Sequence, residues 1–152
     1  MKTLRGVRFF PAIAVVVALV VCGLALGAHR RSGVDFQAKL TPAQEVLRVR
    51  SKASGRIDAR LWRTPSGGRI KWSLVFERLS SPALAATIHE GRAGTAGPVL
   101  IRLCGRCRRP AGGILRVSPK QANALLHAPT YVTIATSKHP AGELRGQLHR
   151  HG

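Results

Sequence analysis

The sequence predicts an all-β fold, an antiparallel β-sandwich of about eight or nine strands with one short helix. Three observations carry the prediction. Apolar residues recur at every second position in short runs, the period of a strand with one face buried. The runs are separated at regular intervals by Gly, Pro and Ser, the residues that punctuate chains with turns. The 152 residues suffice for one domain with a real hydrophobic core, and no internal repeat, long low-complexity stretch or second domain is visible.

The first 28 residues stand apart. Met1 to Arg8 is short and basic, and Phe9 to Gly27 is a run of 19 residues without a charge. Residues 1–28 therefore read either as a signal peptide or as an N-terminal membrane anchor. Ala25-Leu26-Gly27 supplies the small residues of a cleavage site before Ala28. A spanning helix needs about 20 apolar residues, which the run just reaches. Arg5 and Arg8 precede it and Arg30 and Arg31 follow it, so charge orients it only weakly. Cys22 follows Val21, where a lipidation site wants a small residue, which argues against a lipoprotein. Both readings imply export. The protein is expected to be secreted or extracytoplasmic, either free or held by a transmembrane helix at residues 9–27.

The strands follow in order. Val34, Phe36, Ala38 and Leu40 alternate with polar residues. Ile57, Ala59 and Leu61 do the same, with Arg56, Asp58, Arg60 and Trp62 on the other face. Thr64-Pro65-Ser66-Gly67-Gly68 is a turn signal, and Ile70, Trp72, Leu74 and Phe76 alternate after it. These runs predict a hairpin with a five-residue loop. Leu84, Ala86 and Ile88 form the inward face of the next strand, which leads to His89. Val99 to Leu103, Ile114 to Val117, Tyr131 to Ala135 and Glu143 to Leu148 complete the set. Ser118 is a good N-cap and Pro119 suits the first turn, so Lys120 to Leu126 reads as a short helix presenting Ala122, Leu125 and Leu126 on one side. Its expected place is the end or edge of the sandwich. Residues 149–152, with His149 and His151, read as a frayed tail, the alternative being adventitious metal binding by the two His.

Several blocks carry a family resemblance. They are Ile88-His89-Glu90-Gly91, Gly97-Pro98-Val99, Tyr131-Val132-Thr133-Ile134 with Thr136, and Pro140-Ala141-Gly142-Glu143-Leu144-Arg145-Gly146. In this order they resemble the CHRD domain, named after the chordin repeat and also found singly in exported bacterial proteins. The resemblance covers about residues 34–148 and implies one CHRD unit with an immunoglobulin-like or superoxide-dismutase-like sandwich. It implies no general biochemical role. The growth-factor antagonism of chordin does not carry over, because the cysteine-rich modules beside the domain there are missing here.

His89 is the sharpest candidate for chemistry. The resemblance to the copper-zinc superoxide dismutase sandwich lies only at the level of the fold, and the second His that the family pattern places before Thr136 is Ala135 here. His139 is four residues further on and is the weak alternative partner for a metal. Such a site needs three or four convergent ligands. The competing reading has His89 hydrogen-bonding across its loop to fix the turn. Glu143 and Arg145 lie two apart and share a strand face. They are either ligand contacts or an ion pair and hydrogen bonds that tie the last strand to the strand or loop holding His89.

Cys104-Gly105-Arg106-Cys107 lies in a loop. No strand–helix alternation supports a thioredoxin-like redox motif and no second pair supports a zinc knuckle, so a loop-closing disulfide is expected. Arg102, Arg106, Arg108 and Arg109 surround it and form the densest basic cluster. Lys plus Arg number 25 against six acids; without Lys2, Arg5 and Arg8 the balance stays close to +16. That charge favours anionic partners, and the expected ones are anionic envelope polymers, lipid headgroups or an extracellular protein. Arginine suits phosphate and carboxylate through its planar fork. The exported part holds only Phe36, Trp62, Trp72, Phe76 and Tyr131 as aromatics, so base stacking is unsupported and dedicated nucleic-acid binding is not expected. Six acids and no Ser-His-Asp order leave little for acid–base catalysis. The expectation is a binding or structural module of the cell surface, with no enzymatic activity and no cofactor. The alternatives are a metal-binding protein or metal-dependent enzyme centred on His89, and electrostatic adhesion through the Arg102–Arg109 cluster.

Overall fold

The structure, a computed structural model, describes residues 32–151. The leader at 1–28, with Cys22 and the Ala28 boundary, lies outside the described residues. Two antiparallel sheets face each other. The first has five strands in the order β6-β3-β2-β1-β9, and the second has four in the order β5-β4-β7-β8. Their ranges are β1 Val34–Leu40, β2 Ser54–Thr64, β3 Gly67–Glu77, β4 Ala83–Glu90, β5 Val99–Gly105, β6 Ala111–Val117, β7 Thr130–Thr136, β8 Leu144–Gln147 and β9 His149–His151. The all-β sandwich expected from the alternation is therefore the fold.

The period-2 pattern decides what lies between the sheets. Leu40, Ile57, Leu61, Ile70 and Leu74 from one sheet and Ile88, Val132, Ile134 and Leu144 from the other are almost fully buried. At one corner the sheets are stitched together. The backbones of Thr41, at the end of β1, and Arg145, in β8, exchange N–H···O bonds of 2.9 and 3.2 Å. The single helix α1, Pro119–His127, starts with the expected cap. Gln121 N donates to Ser118 Oγ and Ser118 N donates to Gln121 Oε1, a reciprocal capping box. Gln121 Nε2 then donates to Leu100 O, fixing α1 to β5, while Ala122 and Leu125 enter the core. Leu126 is only half-buried.

Three expectations are corrected. The β2–β3 hairpin has a two-residue loop, Pro65-Ser66, because Gly67 and Gly68 continue the ladder opposite Thr64 and Arg63. Leu84 points outward and is 43% exposed. A register shift between Ala83 and Ala85 turns it away, so that Ala83, Ala86 and Ile88 form the inward face instead. The tail does not fray within the described residues: His149–His151 pair with β1, opposite Gln37 and Asp35.

Replacing Leu84 with Ser is expected to change stability by less than about 0.5 kcal/mol, as for an ordinary surface site. Ile88→Ala is expected to cost about 2–5 kcal/mol by leaving a core cavity. Urea unfolding followed by far-UV circular dichroism measures both, and equal losses would mean that the bulge is misplaced.

Candidate functional site

The alternation that sends Ile88, Val132 and Leu144 into the core sends His89, Tyr131 and Arg145 to the outer face of the four-stranded sheet. His89 lies directly opposite Tyr131, and Thr133, next on that face, lies opposite Arg145. The segment 91–98, between β4 and β5, folds over this face and makes it an interior. Tyr131 is 3% exposed and Arg145 2%.

These side chains form a clasp. The His89 and Tyr131 rings stack with centroids 5.0 Å apart and planes 12° apart. Arg145 Cζ sits 3.5 Å from the Tyr131 centroid, a buried cation–π contact. Every polar end then reaches the loop backbone. His89 Nδ1 lies 2.9 Å from Gly97 O. A carbonyl only accepts, so Nδ1 carries the proton, and in the neutral ring Nε2 accepts from Thr87 Oγ1 at 2.7 Å. Gly97 N donates to Tyr131 Oη at 3.0 Å. Arg145 Nη2 donates to Arg92 O at 2.9 Å and to Thr95 O at 2.7 Å. Gln147 Nε2 donates to Gly91 O at 2.8 Å. Gly97 is glycine for space, because a Cβ there would collide with the Glu90 carbonyl.

Glu143 makes a second node just before β8. It is fully buried. Its carboxylate accepts from Ser51 Oγ at 2.6 Å, from Ser80 N and Oγ at 2.8 Å each, and from Thr136 Oγ1 at 2.8 Å. It thereby joins the segment before β2, the β3–β4 connection and the end of β7. Burial alone would raise its pKa, but the four hydrogen bonds outweigh burial and hold the carboxyl below its ordinary 4.5. The ion pair expected between Glu143 and Arg145 does not form, since each residue is satisfied by a different set of loops. The expected tie to the loop that follows His89 does form, through Arg145.

Glu45 was not singled out in the sequence, and no local pattern marks it. Its Oε1 is buried without a hydrogen-bond partner and abuts Gly142, where a Cβ would meet the carboxylate. Gly142 also has φ +139°, a conformation open to glycine. Burial pushes the Glu45 carboxyl up to about 7 against the pull of the Arg145 guanidinium.

The remaining candidates lie elsewhere. Cys104 and Cys107 form the expected disulfide, with Cα atoms 5.5 Å apart. Arg102 is exposed on β5, and Arg106, Arg108 and Arg109 are exposed in the following loop, where Arg106 N donates to Leu84 O at 2.7 Å. None of the four forms an ion pair with a carboxylate among the described residues. His139 does not join His89. His89 lies opposite Tyr131, at one end of β7, and His139 follows Thr136 at the other, roughly 16 Å away at about 3.3 Å per residue. Among the described residues no group of three or more His, Cys, Asp or Glu converges as metal ligands. A metal at His89 would have to displace one of the two hydrogen bonds of the ring.

The arrangement defines a class: a two-sheet antiparallel sandwich whose distinctive polar residues bind its own loops. The CHRD domain family description matches residues 36–148, and the chain belongs to that family. No curated protein and no solved structure matches it.

The two carboxyls impose opposite pH dependences. The lowered Glu143 contributes stability that is present above about 4.5 and lost as the pH falls through its folded value. The raised Glu45 contributes stability that is fully present below about 4.5 and lost as the pH rises through about 7. Glu45→Gln is therefore expected to remove a decline between pH 5 and 7, on the order of 2 kcal/mol after allowance for partial exposure. Thermal melts of both proteins from pH 4 to 8 measure it, and parallel curves would refute the assignment. Arg145→Met is expected to cost about 3 kcal/mol or more by freeing the loop and stripping two buried carbonyls of their donor. Hydrogen exchange should show faster exchange at Gly97 N and Gly91 N.

Proposed function

We propose that this CHRD-domain chain is exported and acts as a non-enzymatic binding or structural module of the cell surface or envelope, contacting anionic polymers. One observation carries the reading: reactive side chains are consumed inside the fold, while cationic ones are left outside. His89, Glu143 and Arg145 are engaged by backbone carbonyls, hydroxyls and one backbone N–H of the protein itself. Arg102, Arg106, Arg108 and Arg109 stand exposed, free of ion pairs with the described acids. A group already satisfied within the protein is poorly placed to turn over a substrate. An unpaired guanidinium at the surface is well placed to meet a carboxylate or phosphate. The leader supplies the route out of the cytoplasm, and the Cys104–Cys107 disulfide suits an oxidising compartment.

Intact mass measured separately on the secreted and membrane fractions of the native host tests export. A mass starting near Ala28, two protons short of the reduced value, identifies a free exported domain, and a full-length mass in the membrane fraction identifies a tethered one. Full-length protein confined to the cytosol would refute the reading. Binding to an immobilised acidic polymer should weaken steeply between 50 and 500 mM salt (both concentrations chosen around roughly physiological screening), because charge contacts release counterions. Binding indifferent to salt would refute the electrostatic contact.

A further inference from the structure

The two outer faces of the sandwich differ. The face of the four-stranded sheet is roofed by the clasped loop, whereas no described segment covers the face of the five-stranded sheet. That open face carries two adjoining grooves of 410 and 620 Å³, which meet at Gln37 and Arg56. Five strands at a spacing of about 4.8 Å make it roughly 20 Å wide, the span of an extended chain rather than of a single small molecule.

Register sets its chemistry. Trp62 lies opposite Arg69, and Arg69 lies opposite Arg116, so an indole and two guanidiniums form one row across β2, β3 and β6. The neighbouring row runs Asp35, Arg60, Lys71 and Ile114, with His151 of β9 beyond Asp35. Of the acids on the grooved part of the face, Asp35 is neutralised by Arg60 and Asp58 by Arg56 at 2.8 Å, while Glu77, at the end of the second groove away from Trp62, is exposed and makes no ion pair among the described residues. Arg69, Lys71 and Arg116 are exposed and make no ion pair with a described acid. Like charges directly opposite one another on a sheet repel. The Arg69–Arg116 pair is thus a standing electrostatic cost that an anion on the face would relieve. Trp62 is half-buried, with its indole edge against the backbone of Gly33, so its orientation is held without a ligand.

The geometry points to this open face as the binding site for an acidic polysaccharide. The Trp62 ring offers the flat apolar surface on which the C–H face of a pyranose stacks. The Arg69 and Arg116 forks take its carboxylates. The ion-paired Asp35 and Asp58, with Gln37 and Ser73, accept or donate the hydrogen bonds of its hydroxyls. A bare polyanion would use the charge but not the ring, and a neutral glycan the reverse. Of these three, only a charged sugar polymer uses both. The inference rests on the reading of an anionic-polymer binder and places the contact on the β-sheet instead of at the Arg102–Arg109 loop.

The test uses the full chain titrated with polygalacturonate, neutral dextran and inorganic polyphosphate, followed by isothermal titration calorimetry for every variant, with tryptophan fluorescence of the unsubstituted chain as a second readout. The chain has two tryptophans, and Trp72 is 5% exposed, so the part of the emission change lost in Trp62→Phe is the part that Trp62 reports. Polygalacturonate is expected to bind and shift the emission. Trp62→Ala is expected to weaken it roughly tenfold, as loss of a central aromatic contact does, while Trp62→Phe retains most of it. The double variant Arg69→Ser/Arg116→Ser should weaken it as well, and Arg106→Ser/Arg108→Ser/Arg109→Ser should not. Melting temperatures confirm that each variant is folded. Dextran bound as tightly as polygalacturonate would overturn the inference. So would polyphosphate bound as tightly, with Trp62→Ala without effect. Loss of binding only in the triple variant would overturn the sheet site and leave the anionic-polymer reading standing. No binding to any polyanion would remove both.

Discussion

Two opposite charges are buried on or beside the last strand of the second sheet, and they do not meet. Glu143 and Arg145 are separated by one residue, yet each is closed off from water in its own compartment. A buried charge without partners is severely unfavourable, and its desolvation must be offset by hydrogen bonds in place. Here the partners come from segments with no regular structure of their own. Glu143 draws in Ser51 and Ser80, and Arg145 draws in the carbonyls of Arg92 and Thr95. The connections are therefore set by the charges. Had the two side chains paired with each other, the loops would have lost their anchors and the outer face of the sheet would have lost its roof.

This dependence explains why the family blocks define a fold more sharply than an activity. His89, Gly91, Gly97, Tyr131, Gly142, Glu143 and Arg145 come from different blocks of the sequence, and the structure brings almost all of them to the two nodes. His89 orders the loop through one ring nitrogen and is itself held by Thr87 through the other. Its stacking on Tyr131 and the guanidinium on the same ring make the clasp a packed unit as well as a polar one. At His89, Glu143 and Arg145 the hydrogen bonds run to the loops and hydroxyls of the protein itself, so these residues close the loops.

The parts of the molecule governed by short-range periodicity were legible in the sequence. Alternation placed the inward faces of β1, β2 and β3, and the Ser118 cap placed α1, because both depend on neighbours in sequence. The errors arose where tertiary pairing overrides alternation. The outward turn of Leu84 depends on how β4 registers against β7, and the two-residue hairpin depends on glycines that pair when a longer loop was open to them. The strand made by His149–His151 exists because β1 offers an unpaired edge. At the candidate site the residues were legible and their partners were not. Glu143 and Arg145 lie two apart in the sequence and look like an ion pair on one strand face, yet Glu143 falls just before β8, and nothing local reveals that its carboxylate meets Ser51, 92 positions away. Glu45 went unnoticed for the same reason, since the burial that raises it involves Gly142, far along the chain.

The roofed face and the open face then divide the molecule's charge into two kinds. Under the roof a cation is neutralised by carbonyl dipoles and an aromatic ring, and it is fixed. On the open sheet the carboxylates Asp35 and Asp58 are matched to Arg60 and Arg56, and Glu77 stands at the opposite end of the hairpin from Trp62, which leaves Arg69, Lys71 and Arg116 as a cationic excess at the Trp62 end. A sandwich that needed only solubility could spread that excess over both faces and every loop. Cations aligned in register on neighbouring strands raise the local field above what the same charges would produce if dispersed. Because β2, β3 and β6 are held by continuous ladders, the row cannot relax by moving apart, and side-chain motion or a bound anion is what remains to lower its energy. The rigidity that the buried charges confer on one side of the sandwich does not reach this row; it is the long β2–β3 ladder, eleven residues in each strand, that keeps the cations and Trp62 in one plane.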